Sequence, residues 1–228
     1  MSEATRLLLI RHAQPEEEAQ GRCYGSLDIG LSSRGRRRAQ LLARTLDRIP
    51  LTAVYTSPRS RAFQTARPLA AVHGLTAIVD EALREIDFGE FEGRSYDEIQ
   101  LAAPALYRAW METPTRVHFP DGESYEILRR RALAAMHAIR RRHAGETAAI
   151  VSHGGILRSM LADCLAMPDE AIFRLDQSYG GLSVIDWLDA APLVRVVNAQ
   201  PTMVAARRRG FLPPFTTSTA EPATEVAS

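Results

Sequence analysis

Four short, mostly apolar runs, each followed closely by charged or histidine residues, recur along this chain and limit what it can fold into. The runs are LLLI at 7–10, TAVYTS at 52–57, AIVD at 77–80 and TAAIVS at 147–152. Continuous rather than alternating apolar residues predict strands that are buried on both faces, as in a parallel sheet. Helical patterns separate the runs, so we predict an α/β fold: a three-layer sandwich in which helices flank a mostly parallel mixed sheet.

The remaining patterns predict the order of elements and the division of the chain. Helices are expected at 33–49, 58–72, 124–142 and 154–165, with one or two short helices over 95–112, and final strands at 181–188 and 193–199. The short helices should be interrupted at Pro104, because proline removes a helix donor. We expect one main domain over 1–206, with a small helical insertion at roughly 86–145 over the site. A tail rich in Pro, Thr and Ser follows at 207–228.

Composition excludes several classes of chemistry. All 28 basic residues are arginine, so no Schiff-base lysine and no phosphate-loop lysine is possible. An anion must therefore be held by Arg, His, backbone N–H groups or a metal. The net charge of +1 argues against a nucleic-acid or membrane partner. Cys23 and Cys164 match no zinc spacing and are expected to be free thiols in a reducing compartment, so the protein is expected to be cytoplasmic.

The reactive residues follow the predicted strands at equivalent points. Arg11 and His12 follow the first run, and Arg61 lies shortly after the second. Glu85 comes a few residues after the third run, and His153 directly follows the fourth. Because the carboxyl ends of parallel strands meet at one edge of a sheet, where ligands bind, we expect these five side chains to converge.

Such a set is suited to phosphoryl chemistry. Arginine forks match a phosphate dianion, and the helix that begins after His153 offers N–H groups to an anion. One histidine could act as nucleophile, the other could stabilise charge, and Glu85 could protonate a leaving alkoxide. Three alternatives remain open: a zinc site, although no HxxxH or HxH pair occurs; a serine hydrolase, although no GxSxG occurs; and arginines that are merely salt-bridged scaffold.

Four ordered motifs carry a resemblance to a known family. They are LIRH at 9–12, SPRSRAFQTA at 57–66, LREIDFGEFEG at 83–93 and VSHGG at 151–155. The chain resembles the histidine phosphatase superfamily, also called phosphoglycerate-mutase-like, over roughly residues 5 to 190. The resemblance implies that His12 is the phosphorylated nucleophile and that Arg11, Arg61 and His153 complete the phosphate pocket. It also implies that Glu85 donates a proton and that neither a metal nor an organic cofactor is required.

Further segments narrow the branch within that family. GRCYG at 21–25, EIDFGEFEG at 85–93 and PDGES at 120–124 resemble the alpha-ribazole phosphatase branch and its broad-specificity relatives. That likeness implies hydrolysis of a small phosphorylated metabolite, with alpha-ribazole 5′-phosphate as one named candidate. A phosphoglycerate mutase-type phosphotransferase and a catalytically silent phosphoester-binding module remain as alternatives. The oligomeric state stays open, with a homodimer as one option.

The resemblance leaves the outer part of the pocket less defined. We expect five residues to contact the substrate: Gln14, Tyr24, Gly25, Phe88 and Gly154. The run Ala13-Gln14-Pro15 departs from the family, because Pro15 stands where a hydroxyl residue is common. Arginine clusters at 36–38, 129–131 and 140–142 are interpreted as solvated helix faces.

Overall fold

The fold is built on a six-stranded mixed sheet. A computed structural model describes residues 4–19, 21–188 and 191–201. The strands are β1 (Thr5–Arg11), β2 (Leu51–Thr56), β3 (Ala77–Val79), β4 (Thr147–Ser152), β5 (Leu182–Trp187) and β6 (Pro192–Ala199). Their order across the sheet is β3-β2-β4-β1-β5-β6. The first four strands are parallel and β5 runs antiparallel to both of its neighbours, which confirms the predicted mostly parallel mixed sheet.

Helices cover both faces of this sheet. They are α1 (Ser33–Leu46), α2 (Ser60–Val72), α3 (Tyr96–Ala102), α4 (Pro104–Glu112), α5 (Tyr125–Arg142) and α6 (Gly154–Cys164). Successive strand residues point to opposite faces, so Leu8 and Ile10 pack with α1 and α2, whereas Leu7 and Leu9 pack with α5 and α6. Both faces of β1 are therefore buried, and the three-layer sandwich is confirmed.

Local signals set most helix boundaries. Ser32 and Ser124 accept hydrogen bonds from N–H groups in the first turns of α1 and α5. The helices α3 and α4 meet at Ala103, directly before Pro104, as predicted. Residues 81–83 and 89–91 form short 3-10 turns. Asp80 caps the first turn by accepting from the Ala82 N–H group.

The segment between β3 and α5 builds a second, smaller core. Phe91, Ile99 and Phe119 are its largest buried members, and Cys23 from the loop after β1 packs among them. Helix α5, although inside the predicted insertion of 86–145, packs on the sheet through its buried stripe. The predicted tail, 207–228, lies outside the described residues. No helix in the described ranges is long and apolar enough to cross a bilayer.

Candidate active site

The ends of β1 and β4 place two histidines side by side. Arg11 pairs with Ser152 at the end of the ladder, and the His12 N–H group donates to the Ser152 carbonyl over 2.9 Å. The imidazole of His12 then lies beside that of His153, with ring centroids 5.1 Å apart and planes inclined by 60°. Both rings are buried. They face a pocket of about 240 Å³ that Arg11, Arg61 and Glu85 also line.

The hydrogen bonding of His12 identifies its tautomer. Its Nδ1 lies 2.8 Å from the carbonyl oxygen of Ala13, and a carbonyl can only accept, so Nδ1 carries the proton. The lone pair is therefore on Nε2. Burial lowers the pKa of His12 well below its usual value, and the charges of Arg11 and Arg61 lower it further. At neutral pH the ring is uncharged, which is the state required of a nucleophile.

His153 is also held neutral. Its Nε2 lies 2.8 Å from the hydroxyl oxygen of Ser57, which itself accepts from the Arg59 N–H group. In the tautomer in which the Ser57 hydroxyl donates to Nε2, the ring proton lies on Nδ1. Burial lowers the pKa of His153 well below its usual value, and the charges of Arg61 and Arg11 contribute in the same direction.

These two histidines should make stability depend on pH. In the unfolded chain both titrate near pH 6.5, but in the fold their pKa values are lower. Below about pH 6.5 the unfolded state therefore binds more protons, and the free energy of unfolding falls as pH decreases. We expect the two histidines to lower the free energy of unfolding by up to ~2.7 kcal/mol for each unit that the pH falls. Urea denaturation at several pH values between 5.5 and 7.5 measures this free energy.

A substitution shows how much of this pH dependence of the free energy of unfolding comes from one histidine. His153→Gln removes one titrating ring and should reduce the slope by up to ~1.4 kcal/mol per pH unit, whatever it does to absolute stability. Carboxylates with lowered pKa values, such as Glu123, lose their contribution only at more acidic pH. A free energy of unfolding that stays constant from pH 7.5 to 5.5 would show that the histidines are not held neutral.

The two arginines bring donors that the protein itself does not satisfy. Arg61 is fully buried, and its two terminal nitrogens donate to the carbonyls of Leu27, Tyr24 and Gly25 over 2.8–3.0 Å. Arg11 donates through Nη1 to the Gln177 carbonyl. In the part of the chain that the structure describes, Nε of Arg11, Nε of Arg61 and Nδ1 of His153 are buried without a hydrogen-bonding partner. Buried donors are nearly always satisfied, so this cluster calls for an anion.

Glu85 is fixed at the start of α6. Its Oε2 accepts from the Gly155 N–H group over 3.0 Å, and its Oε1 accepts from the Ile86 N–H group over 3.0 Å. A Cβ at position 155 would lie 2.5 Å from Oε1, so glycine permits this close approach. The contact orients a carboxyl group in the same pocket as the histidines.

The structure separates the five residues expected to contact substrate. Tyr24 and Phe88 line the pocket, whereas Gln14, Gly25 and Gly154 are not among the lining residues. The Gln14 carbonyl accepts from the Ser32 N–H group before α1. The backbone of Gly25 lies against that of Ile86, so that a Cβ at position 25 would be 1.6 Å from the Ile86 carbonyl oxygen.

Neither Gly154 nor Pro15 lines the pocket. A Cβ at Gly154 would lie 2.9 Å from Nη1 of Arg158 but an ordinary 3.7 Å from the Arg11 guanidinium, so this glycine gives room to the Arg158 side chain. Pro15 forms a bridge with Leu31, away from the pocket, which leaves the departure at Ala13-Gln14-Pro15 outside the lining. The Ala13 N–H group donates to the Thr65 hydroxyl and helps to hold the His12 loop against α2.

Sequence reasoning missed Tyr179, whose ring packs against Arg11 and His12. Its ring lies 4.2 Å from the Arg11 guanidinium carbon and 5.4 Å from the His12 ring. Its hydroxyl is 2.6 Å from that of Tyr24 across the pocket. Tyr179 lies three residues before the start of β5. Because β5 is antiparallel to β1, the start of β5 lies at the same edge of the sheet as the end of β1. A prediction of strand direction would have found it.

Two other kinds of chemistry would require a thiolate or a group of metal ligands. Both cysteines are free, and burial raises the pKa of the Cys23 and Cys164 thiols to about 12, so neither is a thiolate at neutral pH. Among the residues that the structure describes, no three His, Cys, Asp or Glu side chains are grouped so that they could hold a metal ion.

Comparisons with known proteins agree with this geometry. Residues 7–200 match the family described as histidine phosphatase superfamily (branch 1). Over 193 residues the chain is 36% identical to Phosphoserine phosphatase 1 of Hydrogenobacter thermophilus, covering 85% of this chain and 92% of the relative.

Solved structures share the fold. The alpha-ribazole phosphatase from Shigella flexneri superposes with a TM-score of 0.78 at 28% identity, covering 85% of this chain and 96% of that one. A mycobacterial glucosyl-3-phosphoglycerate phosphatase gives a TM-score of 0.77 at 27% identity, covering 87% and 100%. With its sequence match, its fold and its paired histidines in agreement, the chain belongs to the histidine phosphatase superfamily.

Proposed function

We propose that this protein hydrolyses a phosphomonoester of a small metabolite through a phosphohistidine on His12. One observation carries the proposal: a neutral imidazole with a free Nε2 lone pair lies among buried, unpartnered donors of Arg11, Arg61 and His153. Those donors suit the oxygens of a phosphoryl dianion, and they are already in place before charge shifts in the transition state.

The proposed reaction has two displacements. In the first, His12 Nε2 attacks phosphorus, the N–P bond forms, and the bond to the ester oxygen breaks. Protonated Glu85 gives its proton to the departing oxygen, which leaves as an alcohol. In the second, Glu85 as carboxylate takes a proton from water while the water oxygen attacks phosphorus. The N–P bond breaks, and inorganic phosphate and neutral His12 are released.

Aromatic side chains form much of the outer wall of the pocket, and this wall restricts which leaving groups fit. Tyr24, Phe88, Tyr96 and Tyr179 line the pocket. Among the described lining residues, the charged ones are Arg11, Arg61, Glu85 and, farther out in this aromatic part, Arg22. Such a wall suits a leaving group with a flat or apolar part. Among the substrates that relatives' names specify, we therefore propose alpha-ribazole 5′-phosphate, whose leaving group carries an aromatic base, ahead of phosphoserine.

The test is phosphate release from a panel of phosphomonoesters in the presence of EDTA, together with rapid acid-free quenching of the reaction. We expect turnover that survives chelation and a phosphoenzyme that is stable to base but labile to acid, with phosphate on His12. The panel should include alpha-ribazole 5′-phosphate, O-phosphoserine and 3-phosphoglycerate. Label on a serine or aspartate would refute the mechanism, and phosphoryl transfer between phosphoglycerates without release would indicate a mutase.

A further inference from the structure

An ion pair outside the pocket holds the chain segment that carries Glu85. Glu123 lies in the loop before α5 and Arg131 lies two turns into that helix. Their side chains are only 9% and 13% exposed, and neither lines the pocket. The expectation that residues 129–131 form a solvated face is therefore wrong at Arg131, which turns inward against residues 82–85.

Every donor of Arg131 is used. Its Nε and Nη2 form a two-pronged pair with the Glu123 carboxylate over 3.0 and 2.7 Å. Nη2 also donates to the Glu85 carbonyl over 2.9 Å. Nη1 donates to the Ala82 carbonyl over 2.9 Å and to the Arg84 carbonyl. A guanidinium has five N–H groups, and five hydrogen bonds of this kind are formed.

Glu123 holds the other side of the same segment. Its Oε2 accepts from the Asp87 N–H group over 3.2 Å, and its backbone N–H donates to the Asp87 carbonyl over 2.9 Å. Its Oε1 also accepts from the Arg84 side chain over 3.0 Å. Together with Arg131, it contacts the chain on both sides of Glu85.

We propose that Glu123 and Arg131 are positioning residues that set the place of the Glu85 carboxyl group during proton transfer. The inference rests on the proposed role of Glu85. Backbone contacts before, at and after Glu85 leave its side chain few ways to move, and its remaining contacts are the N–H groups of Gly155 and Ile86. Proton transfer requires the acid within hydrogen-bond reach of the leaving oxygen, so a displacement of about 1 Å is costly.

The leaving group distinguishes this role from a general structural one. Arg131→Met keeps much of the side-chain stem and removes all five donors. For benzyl phosphate, whose alcohol must be protonated, we expect kcat/KM to fall by ~10- to 100-fold. For p-nitrophenyl phosphate, whose leaving anion is stable without a proton, we expect a fall of less than about 3-fold. Inhibition by inorganic phosphate should not change, because its donors are untouched.

Two further variants make the test decisive. Glu123→Gln keeps size and one carbonyl oxygen, and should give the same substrate pattern with a smaller loss if Arg131→Met folds poorly. Arg129→Met removes an arginine of the same helix that pairs with Asp163 and Asp169 instead, and should leave kcat/KM for both substrates unchanged.

A double variant separates failure of this inference from failure of the proposed function. If Arg131 acts through Glu85, Glu85→Gln with Arg131→Met should be no slower on benzyl phosphate than Glu85→Gln alone. Equal losses on both substrates, or an added loss in the Glu85→Gln background, would overturn the positioning role. If Glu85→Gln itself leaves benzyl phosphate turnover intact, the proposed acid is wrong instead.

Discussion

Replacement of His12 by alanine is expected to lower kcat by at least ~10⁴-fold for every substrate, with or without EDTA. The substitution removes the only neutral ring that presents a free Nε2 to the described pocket. No pocket-lining residue described by the structure is a serine or threonine, and the one cysteine there, Cys23, has its pKa raised to about 12. We therefore expect phosphate release in an initial-rate assay to vanish together with the phosphoenzyme.

The matched control is His137→Ala. His137 is 40% exposed on α5 and lies outside the pocket lining, so its removal should leave kcat within a factor of two or so. Circular dichroism and thermal melting establish that both variants fold. Undiminished turnover in folded His12→Ala would remove the phosphohistidine route, and activity lost only on chelation would point to a metal-bound water.

Arg61→Lys should produce the second-largest effect, a fall in kcat/KM of ~10³-fold, although the positive charge is kept. The guanidinium donates to three backbone carbonyls, and its buried Nε has no hydrogen-bonding partner among the described residues. One ammonium group cannot satisfy all of these positions. Buried carbonyls left unpaired cost about 1–3 kcal/mol each, so thermal stability should also fall.

The control for this substitution is on the same helix. Arg67 is exposed on α2, and Arg67→Lys should change neither kcat/KM nor the melting temperature appreciably. Binding of orthovanadate to the two variants separates ground-state from transition-state effects, because vanadate resembles the phosphoryl group in transit. An Arg61→Lys enzyme with normal kcat/KM would show that charge alone, without the fork, is sufficient.

The parallel strands and the residues at their ends could be predicted because each signal is local. A continuous apolar run indicates a buried strand, and the parallel arrangement brings Arg11, His12 and His153 to one edge. Tyr179 could not be predicted in this way, because its place depends on β5 running antiparallel to β1. That direction is decided by tertiary packing, which a short sequence window does not contain.

Arg131 illustrates a different limit. Three consecutive arginines on a helix have the composition of a solvated face, yet α5 turns them in different directions. Arg130 is 73% exposed, whereas Arg131 is 13% exposed beneath the 82–87 segment. Whether a helical arginine is solvent-facing or structural depends on which carbonyls the neighbouring loop presents, and loops were the least predictable part of this sequence.

The central place of β1 has a consequence for how the protein is made. Of the six strands of this sheet, β1 is synthesised first, but its neighbours are β4 and β5, so Arg6 cannot pair until Thr147 and Asp186 have been synthesised. During most of translation its apolar residues therefore have no strand partner, and long-range pairing of this kind is slow and open to aggregation. Nascent chains stalled before β4 should accordingly bind chaperones, and phosphatase activity should appear only after β5 has been released.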